Sequence, residues 1–150
     1  MFKLSKRSLS RLEGVKPALV ECVHDAIMLT KVDFGVIEGL RTIERQRELV
    51  ASRASQTMKS KHLTGNAVDL AAYIGSRLSW EMSLYDDIAD AMKAAADAKD
   101  LHIRWGAAWN VSNIVEWDGT MQEATDSYIA LRRSQGKRPF LDGPHFELMD

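Results

Sequence analysis

The sequence is poor in the features that mark several large classes of protein. Its single cysteine, Cys22, excludes an internal disulfide framework and a thiolate-rich zinc site. Three prolines and nine glycines in 150 residues leave no collagen-like or low-complexity stretch. An excess of charge of one sign is also lacking: 20 Lys and Arg stand against 21 Asp and Glu, a formal net charge of -1. That balance gives no counterion-release drive toward nucleic acid, and no RNA- or DNA-binding module motif is present. No apolar run is long enough to span a membrane, so stable insertion is not expected.

The N-terminus is locally basic: Lys3, Lys6, Arg7 and Arg11 all precede the first acid, Glu13. Such a patch could touch an anionic envelope polymer, although a solvated face is the more ordinary reading. A signal peptide would need an unbroken apolar stretch after those charges, and Glu21, His24 and Asp25 interrupt residues 18–29. The expectation is a chain with no export route of its own.

What is present is an ordinary globular composition, with 45% hydrophobic and 27% charged residues, sized for one domain over residues 1–150. Pro17 suits the first turn of a helix over 17–28, on which Leu19, Cys22, Val23 and Ala26 form one stripe. Cys22 therefore reads as a small buried hydrophobe. Phe34 and Val36 mark a strand ending near Gly39. Thr42 can cap a short helix through Val50. Residues 51–65 lose apolar periodicity and read as a long surface loop leading into a site. Residues 67–70 follow as a short strand. Ser79 is a candidate cap for the longest helix, with Leu84, Ile88, Met92 and Ala95 on one face. Leu101, Ile103 and Trp105 alternate as a strand should, Thr120 and Glu123 form a capping box for a helix through about Arg133, and residues 145–148 make the last strand. Helices and strands mix without a βαβ repeat, which predicts an α+β fold around a small antiparallel sheet.

Four histidines occur, and two of them have acids and glycines close by. The first stretch reads Ser60-Lys61-His62-Leu63-Thr64-Gly65-Asn66-Ala67-Val68-Asp69, and the second Asp142-Gly143-Pro144-His145-Phe146-Glu147-Leu148. Zinc suits two imidazoles and a carboxylate with a fourth position open, which His62, His145 and Asp69 could supply. Glu147 shares a strand face with His145 and could hold its second ring N–H, or help place a substrate. On residue types alone, histidines satisfied at the surface remain the default reading. His24 lies in a helical pattern and His102 on the polar side of a strand, and neither has a ligand-like context.

The stretch from Ser60 to Asp69 resembles the first zinc motif of the VanY-like peptidases, the family of D-Ala-D-Ala carboxypeptidases and L-alanyl-D-glutamate endopeptidases. Asp142, His145, Glu147 and Leu148 are similar to its closing motif. Gly39-Leu40-Arg41-Thr42 with Gln46 resembles the segment beside the substrate carboxylate, and Arg104-Trp105-Gly106-Ala107 with Trp109-Asn110 a fourth block. The blocks run in the family's order over residues 39–148, and Leu12, Val15, Lys16 and Pro17 look like the opening of its small phage endolysins.

The resemblance implies one zinc ion per chain on His62, Asp69 and His145, Asp142 as general base, and Arg41 on a substrate carboxylate. Gln46, Ser60, Glu147, Trp109 and, more remotely, Tyr73 would line the cleft. It implies an endolysin that hydrolyses the L-alanyl-D-glutamate bond of cell-wall stem peptides and lyses the host. Such an enzyme would wait as a monomer in the host cytoplasm until a pore-forming protein gives it access to the wall. A D-alanyl-D-alanine carboxypeptidase and a non-catalytic wall-peptide-binding module are the competing readings. One departure stands out: relatives usually carry an acid immediately before the tryptophan of the fourth block, where this chain has Ala108.

Overall fold

The computed structural model describes residues 1–149. Five helices, α1 (Lys6–Arg11), α2 (Pro17–Leu29), α3 (Ile43–Ala51), α4 (Met82–Ala98) and α5 (Met121–Ser134), accompany five strands. The strands are β1 (Asp33–Glu38), β2 (Ala67–Ile74), β3 (Arg77–Ser79), β4 (Ile103–Trp105) and β5 (His145–Leu148). They form one antiparallel sheet in the order β1-β2-β5-β4, with β3 also paired to β2. The α+β expectation is met. β5, the last strand in the chain, lies between β2 and β4.

Period-2 alternation divides the sheet into two faces with different work. Phe34, Val36, Val68, Leu70, Ala72, Ile103, Trp105 and Phe146 point to one side and are buried there. α2 covers them with Leu19, Cys22, Val23, Ala26 and Ile27, and α4 adds Tyr85, Ile88, Ala89, Met92, Ala95 and Ala96. The alanines on α4 let α2 approach closely, and each Leu, Ile or Phe removed from water contributes about 1.5–3 kcal/mol. Tyr85 adds a polar tie, donating from its hydroxyl to the Ser79 carbonyl at 2.7 Å and accepting from Ala72 N–H at 3.1 Å. The opposite face of β2 and β5 carries Asp69, His145 and Glu147.

Several boundaries differ from the sequence-based expectations. α1 was not expected: it buries only Ser8, and its place is set by bonds to β1 rather than by apolar periodicity. β2 runs on to Ile74 and turns through Gly75, at φ 63°, into β3. The longest helix is preceded by Glu81 rather than capped by Ser79, whose Oγ instead accepts from Glu81 N–H. The capping box is formed as expected, with Thr120 and Glu123 exchanging bonds at the head of α5.

Candidate metal centre

Asp69 and His145 face each other as register partners across β2 and β5. Their side chains meet, with His145 Nδ1 lying 3.2 Å from Asp69 Oδ1. His62 arrives from a 3-10 turn, Lys61–Thr64, opened by Ser60, whose Oγ accepts from His62 N–H at 3.2 Å. Gly65 ends that turn at φ 74°, and a Cβ there would lie 2.4 Å from the Gly14 carbonyl oxygen, so the close chain crossing requires glycine. His62 Nε2 then reaches the same Asp69 Oδ1, also at 3.2 Å.

The outer nitrogen of each ring is held as well. His62 Nδ1–H donates to the Gly39 carbonyl at 2.8 Å, which turns Nε2 toward Asp69. His145 Nε2 pairs with Glu147 Oε1 at 2.8 Å, leaving Nδ1 as its inward atom. Both rings therefore present one nitrogen to a common point, and their outer partners are the kind that orient imidazole ligands. Within the described residues, His62, Asp69 and His145 bring three donor atoms within 4.8 Å of one another.

Charge tells the same story. Burial works against ionisation of Asp69, yet the bonds from His145 and His62 hold its carboxyl well below the usual range. For His145, burial lowers the pKa, but bonds to Asp69 and Glu147 outweigh it and raise the ring to about 9. A positive charge thus already belongs between these carboxylates, held as a proton on His145 where a metal cation would supply it. The donor set fits a divalent ion.

Around the cluster stand four other predicted side chains. Asp142 sits in the loop before β5, its N–H donating to the Gly106 carbonyl at 2.8 Å and its own carbonyl accepting from His145 N–H at 3.1 Å. Burial and the charge of Asp69 push its carboxyl up, against the opposing pull of His145, His62 and Arg41. Trp109 stands beside the cluster with its ring centroid 5.5 Å from that of His145, and Phe140 stacks on it at 6.1 Å. Arg104 lies 4.9 Å over the Trp109 ring, donates to the Trp109 carbonyl, and comes within 3.9 Å of Glu147. Gln46 is fully buried and accepts from Arg41 at 2.7 Å, while Ser60 lies 3.4 Å from the same guanidinium nitrogen.

Arg41 is more engaged than its expected task implies. Its Nε and Nη2 grip both carboxylate oxygens of Glu38, at 2.6 and 2.8 Å, and Nη2 lies 3.9 Å from Asp69 Oδ2. Glu38, which sequence reasoning missed, is the register partner of Asp69 across an irregularity between Val36 and Glu38. Arg41 is thus the counterion of two adjacent carboxylates. Tyr73 stands apart from the cluster, four residues along β2 from Asp69, beside α1. Ala108, where relatives usually carry an acid, is fully buried in the core. His24 and His102 are exposed and take no part.

An α+β domain that gathers two histidines and an aspartate at one sheet face, with a half-buried acid and an arginine beside them, has the donor set that a metal-dependent hydrolase needs. Comparison with known proteins narrows this. The family described as "Phage L-alanyl-D-glutamate peptidase" matches residues 1–149. The L-alanyl-D-glutamate peptidase of Escherichia phage T5 is 33% identical over 115 residues, covering 74% of this chain and 84% of the relative. The protein of the same name from Listeria phage A118 is 39% identical over 75 residues, covering 50% of this chain but only 26% of its own length. Among solved structures, the Serratia marcescens L-Ala D-Glu endopeptidase ChiX superposes with a TM-score of 0.74 at 34% identity, over 98% of this chain and 90% of that one. The chain belongs to the phage L-alanyl-D-glutamate peptidase family.

Proposed function

We propose that the chain is a zinc-dependent endopeptidase that cuts the bond between L-alanine and D-glutamate in peptidoglycan stem peptides. The observation that carries this reading is the pair of inward-facing nitrogens, His62 Nε2 and His145 Nδ1, set about one carboxylate oxygen of Asp69. Bound by these donors, zinc would polarise the scissile carbonyl and lower the pKa of a water from about 16 toward about 7. Asp142, with its raised pKa, takes the proton of the attacking water and returns it to the leaving amine of D-glutamate. Glu147 and the Gly39 carbonyl keep the two rings oriented throughout. Glu38, Gln46 and Ser60 account for four of the five N–H donors of Arg41, which leaves one, on Nη2, for the substrate α-carboxylate. Trp109 closes one side of the cleft.

The chain is further proposed to act as a monomer on the wall, reached from the host cytoplasm through a pore made by another protein. This part of the reading starts from the phage origin of its relatives. Digestion of purified peptidoglycan followed by mass spectrometry tests the assignment. New N-terminal D-glutamate on released stem peptides is the expected product. Free D-alanine as the only low-mass product would overturn the endopeptidase reading in favour of a carboxypeptidase, and unaltered wall would leave a binding module.

A further inference from the structure

The basic N-terminal segment, which the proposed catalysis does not use, forms one wall of a groove. α1 lies along the outer edge of β1: Ser8 Oγ accepts from Val36 N–H at 2.9 Å, and Arg11 Nη1 donates to the Val36 carbonyl at 3.0 Å. Those bonds cover a sheet edge that would otherwise be open. They also fix the helix so that a cavity of about 440 Å³ remains between it and the far end of the β1–β2 pair.

The floor of this groove is specific. A Cβ on Gly35 would lie 3.2 Å from both Tyr73 Cε2 and Ser8 Oγ, so glycine leaves room for the tyrosine ring to cover the neighbouring strand. The rim is cationic. Lys3, Lys6, Arg7 and Arg11 are all exposed and line the groove, and among the described residues none of them is ion-paired with a carboxylate. The one acid in the lining is Asp33, whose carboxyl is pushed up by burial. In a chain of formal net charge -1, four unpaired cations at one groove are a local concentration rather than a background.

The groove also faces the way the cleft faces. Asp69 and Tyr73 are four residues apart on β2 and share the face opposite the core, so they are separated by roughly 13 Å along the strand. We propose that this groove is a second binding site for the wall, taking a carboxylate-bearing segment of peptidoglycan neighbouring the one in the cleft. The proposal rests on the wall-peptidase reading above and adds a subsite to it. A polymer with repeated carboxylates can bridge 13 Å, whereas a single short stem fills the cleft alone. Lys3, Lys6 and Arg7 hold the polymer near the cleft and contribute nothing to the chemical step.

The test uses the whole chain carrying Lys3→Glu, Lys6→Glu and Arg7→Glu together, and the milder Lys→Gln and Arg→Gln set in case charge reversal disturbs α1. Each is assayed on purified sacculi and on a short soluble stem peptide. The expected result is a KM on sacculi raised ~10-fold or more at low salt, with kcat/KM on the soluble peptide within twofold of the parent. Digestion of sacculi by the parent should weaken between 50 and 500 mM salt, and the variant should lose that dependence. An unchanged KM on sacculi in both variants overturns the proposal. So does a loss confined to sedimentation with phosphatidylglycerol vesicles, which would assign the groove to a phosphate-bearing membrane. If the parent fails to cleave the soluble peptide, the catalytic reading fails, and cosedimentation with intact sacculi still decides the groove.

Discussion

Replacing Gly106 with alanine adds one methyl group at the seam between the loop after β4 and the loop before β5. The new carbon would lie 2.2 Å from the Asp142 carbonyl oxygen and 3.0 Å from Asp142 Cβ, where ordinary contact begins at 3.4 Å. The nearest of these atoms is backbone, so no side-chain rotation relieves the clash. The segments are also tied together, by Asp142 N–H to the Gly106 carbonyl and Gly106 N–H to the His145 carbonyl, both at 2.8 Å. Asp142 must therefore retreat by about 1 Å, and overpacking of this kind costs about 1–3 kcal/mol. A displacement of that size in a group that must meet a proton in line costs roughly 100-fold in turnover. Three measurements on Gly106→Ala separate the effects: kcat on a soluble stem peptide, bound metal by elemental analysis, and the thermal midpoint. The expected combination is a folded protein that keeps its metal and loses about two orders of magnitude in kcat. A folded variant with kcat within threefold of the parent would refute the reasoning, as would loss of metal, since strain would then have fallen on His145.

His145→Ala should lose metal and activity together, whereas Asp142→Asn should retain about one metal ion per chain and lose roughly 100- to 10,000-fold in turnover. Near-normal turnover in Asp142→Asn would pass the role of base to Glu147. Glu147→Gln, which weakens the hold on His145 Nε2, should reduce metal affinity about 10- to 100-fold in a chelator competition. Asp86 offers a pH test remote from the metal. Burial first, then the charges of Asp90, Asp126 and Asp87, raise its carboxyl to about 6, and its Oδ1 is buried without a hydrogen-bond partner. Because the folded value lies above the unfolded one of about 3.9, ionisation costs stability as pH rises from about 4 through about 6. Asp86→Asn should therefore raise stability by about 1 kcal/mol at pH 7.5, allowing for its partial exposure, and leave it unchanged below pH 4. Equal melting shifts at both pH values would contradict this.

What could be read in the sequence followed the strength of local patterns. Leu84, Ile88, Met92 and Ala95 repeat over about three turns, and the Thr120–Glu123 box is a bond pair within one turn, so both survive folding unchanged. α1 has no such pattern. Only Ser8 is buried on it, and the helix depends on Val36, 28 residues away. β3 is also silent, since Leu78 and Ile74 are exposed and its pairing follows from the Gly75 turn. At the candidate site, the motifs brought out the three donors, Asp142, Trp109 and Gln46. They could not bring out Glu38, whose contact with Arg41 and register with Asp69 arise from an irregular step in β1. Nor could residue identity say which nitrogen of each ring faces inward, because the Gly39 carbonyl and Glu147 decide that from other segments. Tyr73 shares the strand of Asp69 but belongs to the groove beside α1.

The position of β5 gives the donor set a second meaning. Asp69 and His145 are 76 residues apart in the chain, and β5 joins β2 through only three register pairs. A metal ion held between them would close a loop of that length as a covalent staple does. Unlike a disulfide it would let go on unfolding, so it would favour the fold by mass action, more strongly the further the free ion concentration rises above its dissociation constant. Cys22, buried and solitary, has no partner with which to make a disulfide. The cluster would thus act as a reversible fastener for the central seam of the sheet, coupling the persistence of the fold to the supply of an ion.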